Sequence, residues 1–89
     1  MDDRRPVALI TGGTRGIGLG IARELAAGGC RLAVNGLRPD AEVASVLDSL
    51  EQTGAEICYC RGDIASSEDR QAILEQVRDR FKALHVLVN

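Results

Sequence analysis

Eighty-nine residues bound the chain to one small domain with a modest core. The composition is globular, 45% hydrophobic and 27% charged, and eleven basic against thirteen acidic residues leave a net charge of -2. This balance excludes a charge-dominated disordered chain, a basic nucleic-acid arm and a polybasic membrane patch. Tyr59 and Phe81 are the only aromatics, too few for a base-stacking platform.

No segment approaches the roughly 20 apolar residues of a membrane span. The start, Met1 to Pro6, opens acidic and lacks the long apolar region of a secretory signal, so the cytoplasm is the expected compartment. Cys30, Cys58 and Cys60 form no C-x-x-C pair, and His85 is the only histidine, so no zinc site is expected. Cys58 and Cys60 are two apart and would share one face of a strand. All three cysteines read as thiols in a reducing compartment.

Along the chain, short apolar runs alternate with stretches of helical period, the pattern of βαβ units and a parallel sheet. Val7-Ala8-Leu9-Ile10 is apolar on both faces, as a central parallel strand requires. After the turn at Thr11-Gly12-Gly13, Ile17, Ile21, Ala22, Leu25 and Ala26 recur at helical spacing, and Gly28-Gly29 ends that helix. Leu32-Ala33-Val34 is a second strand, followed by a loop from Gly36 to Pro39. Asp40 is placed to cap the next helix, with Glu42 in its first turn and Val43, Val46, Leu47 and Leu50 as its buried stripe. Gly54 stops it, and Ala55 to Cys60 is a third strand.

Arg61-Gly62-Asp63 then turns the chain. Ser66 and Asp69 resemble a capping box with Asp in place of Glu. Ile73, Leu74, Val77 and Phe81 form the stripe of a third helix, and residues 85–89 form a fourth strand. With right-handed crossovers this predicts a Rossmann-type doubly wound parallel sheet of order 3-2-1-4. The whole chain, residues 1–89, reads as the N-terminal part of one dinucleotide-binding domain. A domain ending on an apolar strand leaves that strand's outer edge bare, so the isolated 89-residue chain is expected to be poorly stable.

The strongest signal is Thr11-Gly12-Gly13-Thr14-Arg15-Gly16-Ile17-Gly18, between the first strand and the first helix. A pyrophosphate must come close to the backbone, where helix-start amides and the dipole hold it. Gly12 is expected to permit the tight turn, Gly16 the close approach, and Gly18 the packing of helix on sheet. The spacing matches neither G-x-G-x-x-G nor the phosphate loop, whose Lys-Ser/Thr is replaced by Leu19-Gly20.

This T-G-x-x-x-G-x-G segment resembles the glycine motif of the short-chain dehydrogenase/reductase family, near its 3-oxoacyl-(acyl-carrier-protein) reductases. Gly62-Asp63-Ile64 resembles the family's Asp-hydrophobic pair after the third strand, and Leu87-Val88-Asn89 the start of its Asn-Asn-Ala-Gly motif. The resemblance covers essentially the whole chain. It implies that Gly12, Thr14, Arg15, Gly16, Ile17 and Gly18 lie on the phosphate side of a nicotinamide dinucleotide. It further implies that Asp63 accepts from the adenine amino group with Ile64 packed beside it, and that Asn89 is the first Asn of its motif.

An NAD site places a carboxylate at the end of the second strand, and here Asn35 or Gly36 holds that position. Arg15 and Arg38 stand near the missing carboxylate, which favours the 2′-phosphate of NADP over NAD. Arg38 as a solvated loop charge, and Asp40 as a substitute carboxylate, are the alternatives.

The family's chemistry uses a Ser and a Tyr followed four residues on by a Lys. Tyr59 is followed at that spacing by Asp63, and the one Lys is Lys82, so no catalytic residue is assigned. His85 reads as structural. The resemblance implies an oxidoreductase acting on a small carbonyl or alcohol, homo-oligomeric, and seen here as its N-terminal fragment. The alternative is a nucleotide-binding fragment without catalysis. A receiver-like signalling domain is excluded, because it needs acidic residues where Thr11 stands.

Overall fold

The structure, a computed structural model, describes residues 3–89. Its elements run β1 (Val7–Ile10), α1 (Gly16–Ala27), β2 (Arg31–Gly36), α2 (Asp40–Glu51), β3 (Ile57–Arg61), α3 (Ser67–Phe81) and β4 (Val86–Val88). The four strands form one parallel sheet in the order β3-β2-β1-β4. This is the doubly wound arrangement that the alternating pattern predicts.

Strand alternation divides the core in two. Ala8, Ile10, Leu32, Val34 and Ile57 face α1 and α2, where Ala22, Ala26 and Leu50 close over them. Val7, Leu9, Ala33 and Cys60 face α3 and meet Ile73, Val77 and Phe81. Each face of β1 is covered, so every residue in it is buried. That is why β1 reads as an unbroken apolar run rather than an alternating one.

The second strand is longer than its apolar centre. It runs to Gly36, because Asn35 and Gly36 pair in register with Cys60 and Arg61. Gly36 is therefore strand, not loop. The third strand begins at Ile57 rather than Ala55, and the fourth keeps only Val86 to Val88 of residues 85–89.

Two expected helix contacts are absent from the core. Ile17 is 85% exposed at the start of α1, and Leu74 is 49% exposed on α3. Helical spacing places both near a stripe, but the sheet does not reach far enough to cover them. Asp40 does not cap α2; Pro39 holds that position and Asp40 is the first helical residue. There its charge faces the helix dipole instead.

Ser66 does cap α3, its hydroxyl accepting from the Asp69 amide at 3.2 Å. The box is not reciprocal. The Asp69 carboxylate accepts from the Asp63 amide at 2.8 Å, and so fastens the β3–α3 loop.

The start of the chain is pinned by Arg31. Its guanidinium donates to the Arg5 carbonyl at 2.9 Å and lies 5.6 Å from the Phe81 ring centre. Asp3 pairs with Arg5 at 2.6 Å, and hydrogen bonds from Arg5 hold its carboxyl well below the usual carboxylate range. His85 is structural: its Nδ1 accepts from the Val7 amide at 2.9 Å, while its own amide donates to the Val7 carbonyl at 2.9 Å.

Candidate functional site

All four strands point their carboxyl ends the same way, so the β1–α1, β2–α2 and β3–α3 loops converge on one edge of the sheet. In open parallel sheets that edge is where ligands bind. A cleft of about 260 Å³ opens there, lined by Gly12, Thr14, Arg15, Arg38, Asp63 and Ile64 together with Asn35, Gly36, Leu37 and Gly62. Six of the ten residues singled out in the sequence thus surround one space. Gly16, Ile17 and Gly18 lie beside it in the first turn of α1.

Asn89 lies elsewhere. It lines a second, mainly apolar cavity of about 260 Å³ between β4 and α3, with Thr11, Ile64 and Leu87. Ile64 belongs to both walls and so separates the two spaces. The Thr11 hydroxyl ties the strand ends together, at 3.2 Å from both the Val88 carbonyl and Asn89 Oδ1.

The glycines divide their work differently from the expectation. Gly12 and Gly16 both have φ of +61°, and a Cβ on either would meet nothing within 4 Å. Both are needed for backbone shape, and the space beside them is open. A Cβ on Gly18 would stand 2.2 Å from the Gly12 carbonyl oxygen. Gly18 therefore lets α1 approach its own turn, not the sheet. The residue that packs on the sheet is Gly13, whose Cβ would lie 2.9 Å from Val34 and 3.2 Å from Ile10.

No side chain caps α1, whereas Ser66 caps α3. An uncapped helix start behind two glycines with open space is a build that fits a phosphate group. The residues present therefore fit a phosphate-bearing ligand on this structure's own geometry.

Asn35 organises the cleft from below. It is 3% exposed, and its Nδ2 donates to the Cys60 and Gly62 carbonyls, each at 3.0 Å. Its Oδ1 accepts from the Gly12 amide at 3.4 Å, while the Gly13 amide donates to its carbonyl at 2.9 Å. One amide side chain on β2 thus links the β1–α1 turn to the end of β3. An Asp at this position would turn an oxygen toward two carbonyls. A side chain at Gly36 would meet the Tyr59 hydroxyl at 3.0 Å and Thr14 at 3.1 Å. Asn35 is turned inward and Gly36 is crowded by Tyr59 and Thr14, whereas Leu37, next along at the end of β2, is 67% exposed.

Arg38 donates to the Thr14 carbonyl at 3.1 Å, which draws its guanidinium over the cleft. Tyr59 fixes the same loop by donating its hydroxyl to the Arg38 carbonyl at 2.6 Å. Burial raises the Tyr59 phenol above its ordinary value, so it stays a donor. Asp63 is held by an Asx turn, its Oδ1 accepting from the Ala65 amide at 2.9 Å. The cleft therefore carries two cations, Arg15 and Arg38, against one carboxylate. Gly13, Leu37 and the organising role of Asn35 are not evident from the sequence alone. Gly13 is visible in the motif, but its packing partner Val34 lies on another strand.

Among the described residues no group of three or more His, Cys, Asp or Glu is placed to hold a metal ion. No helix among them is long and apolar enough to cross a membrane.

The parallel sheet and its glycine turn define a nucleotide-binding class of α/β protein. The family model for short chain dehydrogenase matches residues 6–89, and the chain belongs to that family. It is 33% identical over 82 residues to a 3-oxoacyl-(acyl-carrier-protein) reductase of Staphylococcus aureus, across 92% of this chain and 33% of the relative. A 3-oxoacyl-(acyl-carrier-protein) reductase of Brucella melitensis, solved in complex with NAD, superposes with a TM-score of 0.90 at 41% identity, covering 99% of this chain and 34% of that one. An L-sorbose reductase of Gluconobacter frateurii, solved with NADPH and L-sorbose, superposes with a TM-score of 0.90 at 32% identity, covering 96% and 32%. The chain spans about a third of the length of these relatives.

Proposed function

We propose that residues 1–89 are the N-terminal, dinucleotide-binding part of an NADP-dependent oxidoreductase of the 3-oxoacyl-(acyl-carrier-protein) reductase kind. The observation that carries this is the pairing of an open, uncapped glycine turn with Arg15 and Arg38 in one cleft. Gly16, Ile17 and Gly18 hold the pyrophosphate through backbone amides, and Gly12 shapes the turn beside them. Arg15 and Arg38 take the 2′-phosphate, where a carboxylate would repel it. Asp63 accepts from the adenine amino group and Ile64 packs against the ring. When bound, the nicotinamide supplies a hydride for a carbonyl, or takes one from an alcohol. Residues outside these 89 perform the acid–base step on that small-molecule substrate, and the active protein is a homo-oligomer in the cytoplasm.

The relatives solved with NAD and with NADPH support a nicotinamide dinucleotide as the ligand class. The preference for NADP rests on the arginines. It is tested by titrating the protein with NADPH and with NADH, following nucleotide fluorescence. Arg15→Ala and Arg38→Ala should each weaken NADPH about tenfold or more, the worth of a charge-assisted hydrogen bond, and NADH far less. Equal losses for both nucleotides would remove the 2′-phosphate reading. No binding of either by the unaltered protein would remove the dinucleotide reading itself.

A further inference from the structure

Cys58 and Cys60 take no part in the cleft, yet their placement is specific. Both point from β3 toward α3, with the sulfur atoms 3.9 Å apart. Cys60 is fully buried, while Cys58 is half-buried on the outermost strand of the sheet. The contact with Cys60, and to a lesser degree the Arg80 cation, favours a thiolate at Cys58. The Cys60 thiol is buried and hydrogen-bonded to its neighbour, so it holds its proton. One sulfur is reachable and acidic, and the other is protected and in contact with it.

We propose that Cys58 and Cys60 form a peroxide-sensitive dithiol site whose closure to an intrastrand disulfide loosens the dinucleotide cleft. The Cys58 thiolate attacks the peroxide. An S–O bond forms, the O–O bond breaks, and the departing oxygen leaves as water after taking a proton. Cys60 then attacks the sulfenic sulfur. The S–S bond forms, the S–O bond breaks, and the Cys60 proton leaves with the hydroxyl as a second water. Two thiols lose two electrons and one hydrogen peroxide is reduced to two waters.

The coupling to the cleft follows from strand geometry. Two residues of regular strand advance about 6.6–6.8 Å, the upper limit of Cα separation across a disulfide. Closing the bond therefore shortens β3 at Cys60. The Cys60 carbonyl accepts from Asn35 at 3.0 Å, and Asn35 in turn accepts from the Gly12 amide at 3.4 Å. A displaced Cys60 thus disturbs the glycine turn. This second half of the proposal rests on the dinucleotide reading of the cleft.

The test uses the purified protein and hydrogen peroxide. Trypsin releases residues 32–61 as one peptide, because Arg38 precedes Pro39; it contains Cys58 and Cys60 but not Cys30. The expected product is that peptide lighter by two hydrogens, reverting with dithiothreitol. Cys60→Ser should stop at a peptide heavier by one oxygen, captured by dimedone, and Cys58→Ser should give neither. A peptide left unchanged, or one gaining oxygens without an S–S bond, overturns the site; this reading of the unaltered protein stands even if a variant fails to fold. NADPH affinity should fall several-fold on oxidation of the unaltered protein and recover on reduction, with no fall in Cys58→Ser. Equal affinity before and after overturns the coupling. If the reduced protein does not bind NADPH, the coupling fails with the functional reading, while the peptide masses still decide the dithiol site.

Discussion

Gly18 and Asn35 hold the candidate site together by opposite means, one through an absent side chain and the other through a buried one. Gly18→Ala would force a methyl group to 2.2 Å from the Gly12 oxygen, so the turn must move. The expected outcome is a loss of about 1–3 kcal/mol in urea unfolding together with loss of dinucleotide binding. Asn35→Ala leaves two carbonyls and one amide without their side-chain partner, and should cost about 2–4 kcal/mol in the same measurement. Leu37 is the place where cofactor choice can be changed. Leu37→Asp adds a carboxylate at the open end of β2 and should lower the NADPH-to-NADH affinity ratio about tenfold, read by parallel titrations. An unchanged ratio would mean that Leu37 lies outside the ribose site.

Among the elements, α3 and β3 differ most from a bare reading of periodicity. Among the described residues the Ser66 hydroxyl is the only side chain that caps a helix, so Ser66→Ala should cost about 1 kcal/mol, seen as a lower urea midpoint. On β3, the hydrogen-bonding contact with the Cys60 thiol lowers the Cys58 pKa to about 7. Its thiolate is then the reactive form above pH 7 and is lost below it. Iodoacetamide labelling of peptide 32–61 should therefore rise with pH through a midpoint near 7, and Cys60→Ser should move that midpoint upward. A midpoint unmoved by Cys60→Ser would mean that the neighbouring thiol does not support the thiolate.

For the molecule as a whole, the unequal cover of the sheet matters most. β4 pairs with β1 alone among the described strands, and Val86 and Leu87 are 38% and 56% exposed. Ile64 and Leu74 continue this apolar surface around the cavity of Asn89. An apolar edge strand recruits other strands. The 89-residue chain produced alone should therefore self-associate, and Leu87→Lys should shift it toward monomer in sedimentation velocity. A monodisperse monomer for the unaltered chain would contradict this.

The layer order, the parallel sheet and the place of the glycine turn were all legible in the residues. Apolar runs and helical periods are local, and a right-handed chain of βαβ units has few ways to close. The Thr11-to-Gly18 segment also stands out as a candidate site, because an anion cradle needs glycines at a helix start. Distances between segments far apart in the chain were not legible. Only packing shows that Gly18 answers to Gly12 while Gly13 answers to Val34, and that Ile17 and Leu74 fall beyond the reach of the sheet. The same holds for Asn35, whose position suggested a missing carboxylate and whose burial shows a clamp across the ends of three strands. Sequence pattern records which face of an element is apolar; which atoms meet across elements depends on register and approach, and those exist only once the chain is folded.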